Sequence, residues 1–450
     1  MISTAEDSAV TIGFMLTHIS TTLDSGLTVI RVPMPSVKSV TVLALCNTGS
    51  RYEDPKQYGI AHFFEHMVFK GSENYEDAQV LAAAIDAVGA NFNAFTSKEY
   101  TGYYVKSASQ HLELALDVVS DMLRTPKLRQ EDIDREKGVI IEELNMYVDN
   151  PASHIANKFQ QMVYAKSGLE HDIIGTKETI TAINADDFVS FLQKWYSPGN
   201  MVVMVVGDAS VVETDQTLSK VDQMFGKKSK QFKNNEETTK VDVQSTLVEN
   251  PISSQKIHIE NRKTEQAHLI MGWPGLARNA DQRYAASLLA TIMGGNMSSR
   301  LFTEVREKRG LCYYVHSDVD KYHDTGFFGA SAGVDQTRVE EAITVIRAEF
   351  EEAAAGAKPI TKKELKKAKD YIAGKLVLGL EDSEAVAQFF GMKHLLSNEI
   401  KSPEEVLAEY TKVTLEEVQS VLEQLIKPGE LRLGVIGPFS DKAKFEVLIK

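Results

Sequence analysis

A stretch of this chain occurs twice, and the repeat dictates its architecture. INADDFVSFLQKWYSPGNMVVMVVGD, residues 183–208, aligns without a gap to VTLEEVQSVLEQLIKPGELRLGVIGP, residues 413–438, at an offset of 230. Leu192 meets Leu422, Pro198 meets Pro428, Gly199 meets Gly429 and Gly207 meets Gly437. Each copy reads as an acid-started amphipathic helix, a Pro-Gly stop and an apolar strand ending at glycine, so one unit has been built twice. Both halves also open alike, with apolar strands at 40–45 and 268–273, and both carry long helical patterns later, at 131–148 and 362–380. Strands with segregated helices predict an α+β fold of two homologous domains, each a largely antiparallel sheet covered on one face by helices. A doubly wound parallel sheet is the alternative, and no glycine-rich phosphate loop supports it. The lysine-rich polar stretch GKKSKQFKNNEETTK, 226–240, lacks apolar periodicity and reads as the join. The halves are therefore placed at 1–228 and 246–450, with a linker at 229–245.

A chain of 450 residues is too long for one core, in keeping with that division. No run approaches the ~18 apolar residues of a membrane span, and the first residues show neither a basic n-region nor an arginine-rich transit pattern. The expectation is a cytoplasmic protein with no membrane partner. Two cysteines, Cys46 and Cys312, exclude a disulfide framework and any four-cysteine zinc site, so a bound metal must be held by histidine and carboxylate. A net charge of −14 disfavours nucleic acid and favours cationic partners such as basic peptides.

The segment YGIAHFFEHMVFKGS, 58–72, places two histidines and a glutamate within one turn of a short helix. His62 and His66 are i and i+4, on one helical face, a spacing that clamps a divalent ion or belongs to a core helix that happens to carry histidines. H-x-x-E-H is the inverted zinc-protease pattern, with Glu65 free to act as general base on a metal-bound water. A catalytic zinc needs a third protein ligand on a second rigid element. EDIDREKGVIIEELNMYVDNP, 131–151, reads as one helix stopped at Asn150-Pro151. At 100° per residue Glu143 lies about 20° from Glu136, whereas Glu142 points roughly 120° away. Glu143 is accordingly assigned as third ligand and Glu136 as the group orienting a ligand histidine, against the simpler reading of a solvated acidic face.

HFFEH, Glu143 after a gap of 76 residues, and a glutamate seven positions before it resemble the pitrilysin/insulinase family of zinc peptidases. VGANFNAFTSKEYTGYYV, 88–105, resembles that family's active-site edge strand, and GGNMSSRLFTEVREKRGLCYYV, 294–315, its second-half Arg/Tyr motif. The likeness spans nearly the whole chain and is greatest to the half-length processing-peptidase branch found in bacteria and mitochondria. It implies a zinc-dependent endopeptidase acting on peptides or unfolded polypeptides in an enclosed chamber. One Zn²⁺ per chain would be held by His62, His66 and Glu143, with Glu65 as base. By residue type alone Arg306 is a helix-surface charge and Tyr313 a buried strand aromatic; the resemblance makes them substrate-binding and oxyanion-stabilising groups. It likewise makes Asn93, Ala94 and Phe95 part of a strand that receives substrate by backbone pairing, where the pattern itself shows only a half-buried strand. No histidine lies between Leu269 and Val315, so the second half carries no second site. The resemblance implies a homodimer in which Arg306 and Tyr313 serve the partner's zinc, or a heterodimer with a related chain. The family also contains a rival function, a non-catalytic scaffold or peptide-binding subunit, whose members lose parts of the zinc set that this chain keeps.

Overall fold

The computed structural model describes residues 16–226, 243, 247 and 251–450. The opening segment read for a targeting signal and most of the linker at 229–245 lie outside the described residues. Among the described residues no helix is long and apolar enough to cross a membrane.

Two sheets carry the molecule. The first contains β1 (Ile19–Thr22), β2 (Thr28–Met34), β3 (Ser39–Cys46), β4 (Asn91–Thr96), β5 (Thr101–Ala108) and β6 (Met201–Asp208) in the order β1-β2-β6-β3-β5-β4. The second contains β7 (Ile257–Asn261), β8 (Ala267–Pro274), β9 (Cys312–Lys321), β10 (Gly326–Val334) and β11 (Arg432–Gly437) in the order β7-β11-β8-β10-β9. Only β2 with β6 and β7 with β11 pair in parallel, so both sheets are largely antiparallel, as expected. The repeated unit supplies β6 and β11, and each is wedged between its half's parallel and antiparallel partners. That correspondence makes β4 and β9 equivalent edge strands.

Local chemistry accounts for the repeated unit. Asn184 caps the helix Ala185–Trp195 and Thr414 caps Leu415–Leu425, each through a reciprocal capping box. The helices end at Trp195 and Leu425, and a Pro-Gly turn follows each, with Gly429 at φ +74°. The strand after the first copy, β6, contains the continuous apolar run VVMVV, which only a strand buried on both faces tolerates.

One face of the first sheet, through Val29, Val40, Val42, Val203 and Val205, packs on helices of its own half. The opposite face, through Ile30, Val32, Leu43, Leu45, Met204 and Val206, packs on the helix Ser383–Ser397 from the other half, by Val386, Ala387 and Phe390. Gly391 permits the close approach, since a Cβ there would stand 2.6 Å from Leu45 Cδ1. The second sheet is covered reciprocally. Phe159, Met162 and Val163 of the helix Pro151–Val163 meet Phe327 and Ile270. Each half thus lends a helix to the other's sheet, an exchange added to the expected one-face cover.

A buried ion network also joins the halves. Arg51 donates to Glu99 at 2.7 Å and to Asp324 at 2.6 Å, Arg278 pairs with Glu99, and the N–H of His323 donates to Glu99 Oε1 at 3.0 Å. Glu99 sits at the tip of the β4–β5 hairpin, so the edge strand is anchored at its end to the second half.

Candidate metal centre

The helix Ile60–Met67 drives Ile60, Phe63, Phe64 and Met67 into the core, where Phe63 and Phe64 pack on Phe188. Its other face carries His62 and His66, with ring centroids 4.8 Å apart. The preceding Gly59 adopts φ +96°, a conformation that favours glycine, and a Cβ there would lie 2.5 Å from the Ile174 carbonyl. Gly59 has no side chain with which to cap the helix. The carboxylate of Glu53 takes that place, receiving the N–H groups of Gly59 at 2.7 Å and Ala61 at 2.8 Å.

The helix Gln130–Asp149 crosses this face and delivers two carboxylates from one side, as the angular argument requires. Glu143 Oε1 lies 3.6 Å from His62 Nε2, and Oε2 lies 3.3 Å from His66 Nε2. Glu136 is 4% exposed; its Oε1 is 3.0 Å from His66 Nδ1 and its Oε2 is 2.6 Å from Lys70 Nζ. Among the described residues His62, His66 and Glu143 form the one group of ligating atoms lying within 4.8 Å of one another. The donor set fits a divalent ion of zinc type: two imidazole nitrogens and a carboxylate converge, and three protein ligands would leave room for water or substrate. Glu136 fixes which nitrogen of His66 faces the cluster.

The electrostatics are those of a negatively biased site. Burial would lower the His66 pKa, but Glu136 and Glu143 outweigh it and raise the imidazole to about 9. Hydrogen bonds from His62 and His66 hold Glu143 down at about 2. Burial would raise Glu136, yet His66 and Lys70 leave it below the ordinary carboxylate value. In the metal-free protein the raised His66 contributes stability fully below 6.5, its ordinary value, and that contribution is lost as pH rises through about 9. Glu143 contributes above 4.5, and its contribution is lost as pH falls through about 2. A metal must displace the His66 proton, so zinc affinity is expected to rise about tenfold per pH unit from pH 7 towards 9 and then level off. Titration calorimetry in two buffers of different ionisation enthalpy measures the released proton; pH-independent affinity would contradict this charge balance.

Glu65 faces the same space, and Thr96 Oγ1 donates to its Oε2 at 2.6 Å. Thr96 closes β4, whose Phe92 and Ala94 pack on the same side of the sheet as this helix. Asn93 is exposed and its Oδ1 receives the N–H of Ala94 at 2.9 Å. The Phe95 ring turns to the opposite face, where it covers Gly102 and packs beside Tyr100. Arg306 lies in a π-helical turn, Phe302–Glu307, with its guanidinium 4.8 Å from the Phe302 ring centroid and 5.6 Å from that of Tyr313. Tyr313, at the start of β9, is 73% exposed, so the buried-aromatic reading of it is wrong. Among the described residues no hydrogen bond, ion pair or ring contact joins Arg306 or Tyr313 to the histidine cluster. Sequence reasoning missed Thr96, Lys70 and Glu53. Thr96 had a signal, since the period-two pattern of β4 put its hydroxyl beside Phe92 and Ala94; the other two had none.

The family described as "Insulinase (Peptidase family M16)" matches residues 28–177, and "Peptidase M16 inactive domain" matches residues 182–372. An uncharacterized zinc protease of Streptomyces coelicolor is 37% identical over 94% of this chain and 90% of its own length. The uncharacterized zinc protease YmxG of Bacillus subtilis is 33% identical over 93% of this chain and 97% of its own length. Among solved structures, a protease from Helicobacter pylori superposes with a TM-score of 0.83 at 23% identity, covering 94% of this chain and all of the other. The peptidase M16 inactive domain from Pseudomonas fluorescens gives 0.83 at 20% identity, over 94% and 98%. By its two matched regions and by relatives that share more than 30% of its residues along almost its whole length, this chain belongs to the insulinase family of zinc proteases, peptidase family M16.

Proposed function

We propose that this chain is a zinc-dependent endopeptidase that hydrolyses peptides or unfolded polypeptides. The observation that carries the reading is the convergence of His62, His66 and Glu143 with Glu65 beside them and an unpaired sheet edge at β4. A bound Zn²⁺ would supply Lewis-acid chemistry, polarising the scissile carbonyl and making water a better nucleophile. The chain's own groups do the rest. Glu65 accepts a proton from the attacking water at Oε1, the oxygen left free by Thr96, and returns it to the leaving amine. Thr96 holds the carboxylate in one rotamer, and Glu136 holds the His66 ring. The backbone of Asn93 and Ala94 on β4 would pair with an extended substrate, once the Asn93 side chain releases the Ala94 N–H. The chamber, the homodimer and the cytoplasmic location belong to the same proposal.

Arg306 and Tyr313 are assigned to the partner's site. Their support is the exposure of Tyr313, the cation stacked against it and, among the described residues, the lack of a hydrogen bond, ion pair or ring contact from the pair to the cluster of their own chain. Substrate contact and stabilisation of the oxyanion are what such a pair can supply across an interface.

The test is cleavage of a mixed peptide library by metal-analysed protein, which requires about one zinc per chain and stops on chelation. Chains carrying Glu65→Gln are then mixed with chains carrying Arg306→Ala and Tyr313→Phe. If the pair acts across a two-fold interface, two inactive proteins together regain about a quarter of wild-type activity, since half the dimers are mixed and each has one intact site. Zinc binding without cleavage would leave a peptide-binding scaffold as the better description.

A further inference from the structure

The helix that bears the two histidines is only eight residues long, Ile60–Met67, and His62 is the third of them. A helix this short depends on how its first turn is held, because the N–H groups there have no partner within the helix. The sequence offers no local cap: the residue at that place is glycine, and no side chain from the helix itself closes the turn. The groups are instead closed by Glu53, six positions before Gly59. Its Oε2 takes the Gly59 N–H at 2.7 Å, its Oε1 takes the Ala61 N–H at 2.8 Å, and the carboxylate itself is 0% exposed.

The carboxylate is in turn supported. His171 Nε2 donates to Oε2 at 3.3 Å, and its ring stacks on Tyr58 with centroids 3.6 Å apart at 9°. The ammonium of the buried Lys98 donates to the His171 carbonyl. Thr96 closes β4 and Lys98 lies in the turn that follows it, so one stretch of chain touches both Glu65 and the support of the helix start.

We propose that Glu53 is a positioning residue of the metal centre: its buried carboxylate sets the first turn that aims His62, and its charge offsets the positive helix end that would otherwise face the cation. This rests on the zinc reading above. The physical reason is that a helix N-terminus carries about half a positive charge, concentrated in the first turn, where it opposes a divalent cation held by a residue of that turn. A carboxylate bonded to those N–H groups reverses the sign of the local field. It also leaves both N–H groups satisfied, which a neutral amide cannot do, since one of its two heads is a donor.

The experiment compares Glu53→Gln and Glu53→Asp with wild type in the full-length chain, reading zinc affinity by competition with a chromogenic chelator. Glu53→Gln is expected to bind zinc about ten- to a hundred-fold more weakly, the range typical of groups behind the ligands. Saturating zinc should return its kcat to within a few-fold of wild type. Glu53→Asp keeps the charge but reaches only one N–H, and should lose about three- to ten-fold, less than a full loss of the supporting group. A purely structural role would lower the melting temperature of the metal-free protein and leave the zinc affinity of the folded fraction unchanged. If Glu53→Gln does not fold, Glu53→Asp is the variant that decides. Wild-type zinc affinity in whichever variant is folded overturns the inference. If wild type itself binds no zinc, the peptidase reading fails instead, and the two failures are thereby told apart.

Discussion

Replacing Glu65 by glutamine is expected to lower kcat for peptide cleavage by about 10²- to 10⁴-fold while leaving zinc content at wild-type level. The two effects separate because of where the carboxylate stands. His62, His66 and Glu143 are the residues placed to hold a metal, and Glu65 is outside that group. One oxygen of Glu65 already receives the Thr96 hydroxyl at 2.6 Å. Glutamine at this position can accept that bond through its carbonyl, so the side chain keeps its place and its volume. What it loses is the ability to take a proton. A fall in kcat without a fall in bound metal therefore assigns the proton transfer to Glu65. A variant that still cuts at a tenth of the wild-type rate or better would remove Glu65 from that role, and loss of zinc in step with activity would make it part of the metal set. Thr96→Val separates holding from transferring: the base remains, only its rotamer is freed, and the decrease should be far smaller than for glutamine.

The site was legible where its geometry is periodic. Seven residues along a helix return to nearly the same angle, so Glu136 and Glu143 had to share a face, and the structure puts both within reach of His66, at 3.0 and 3.3 Å. The site was not legible where a residue acts from another element. Glu53 is an acid in a loop by every local criterion, and its role at the helix start exists only because the chain doubles back through Pro55 to Gly59. Lys70 pairs with Glu136 across two helices for the same reason. Tyr313 looked like a core aromatic because strands bury such residues, but β9 is an edge strand, and edge position is a property of the whole sheet.

The fold shows the same division. The repeat and the polar join were visible as pattern, and so were strand content and helix stops. The exchange of covering helices was not, since the helix Ser383–Ser397 has little amphipathic periodicity to mark a buried face, and it packs on a sheet whose strands lie more than 170 residues earlier. The apolar run VVMVV in β6 did carry a warning: a strand apolar at every position must be covered twice.

That double cover leads to an expected result for the separated halves. Residues 1–228, expressed alone, should fail to give a cooperatively folded protein, although they contain the whole proposed metal set. Without the helix Ser383–Ser397, the sheet face formed by Ile30, Val32, Leu43, Leu45, Val202, Met204 and Val206 stands in water. At about 1.5–3 kcal/mol for each large apolar side chain kept from burial, the loss is on the order of 10–20 kcal/mol, against about 5–15 kcal/mol of net stability for a typical domain. The second half has the mirror problem, with Phe327 and Ile270 uncovered once the helix Pro151–Val163 is gone. Two fragments co-expressed with the break inside 229–245 should therefore assemble and bind zinc where neither does alone, because both exchanged helices are restored and only the join is cut. Within the intact chain, Phe390→Ala opens a cavity under the first sheet and should cost about 3–5 kcal/mol. Near-ultraviolet circular dichroism and denaturant melts of the single fragments decide the matter: a sharp melt of residues 1–228 by themselves would show that the first sheet folds without its borrowed helix, and the exchange would then be an ornament of the assembled chain and no condition of its folding.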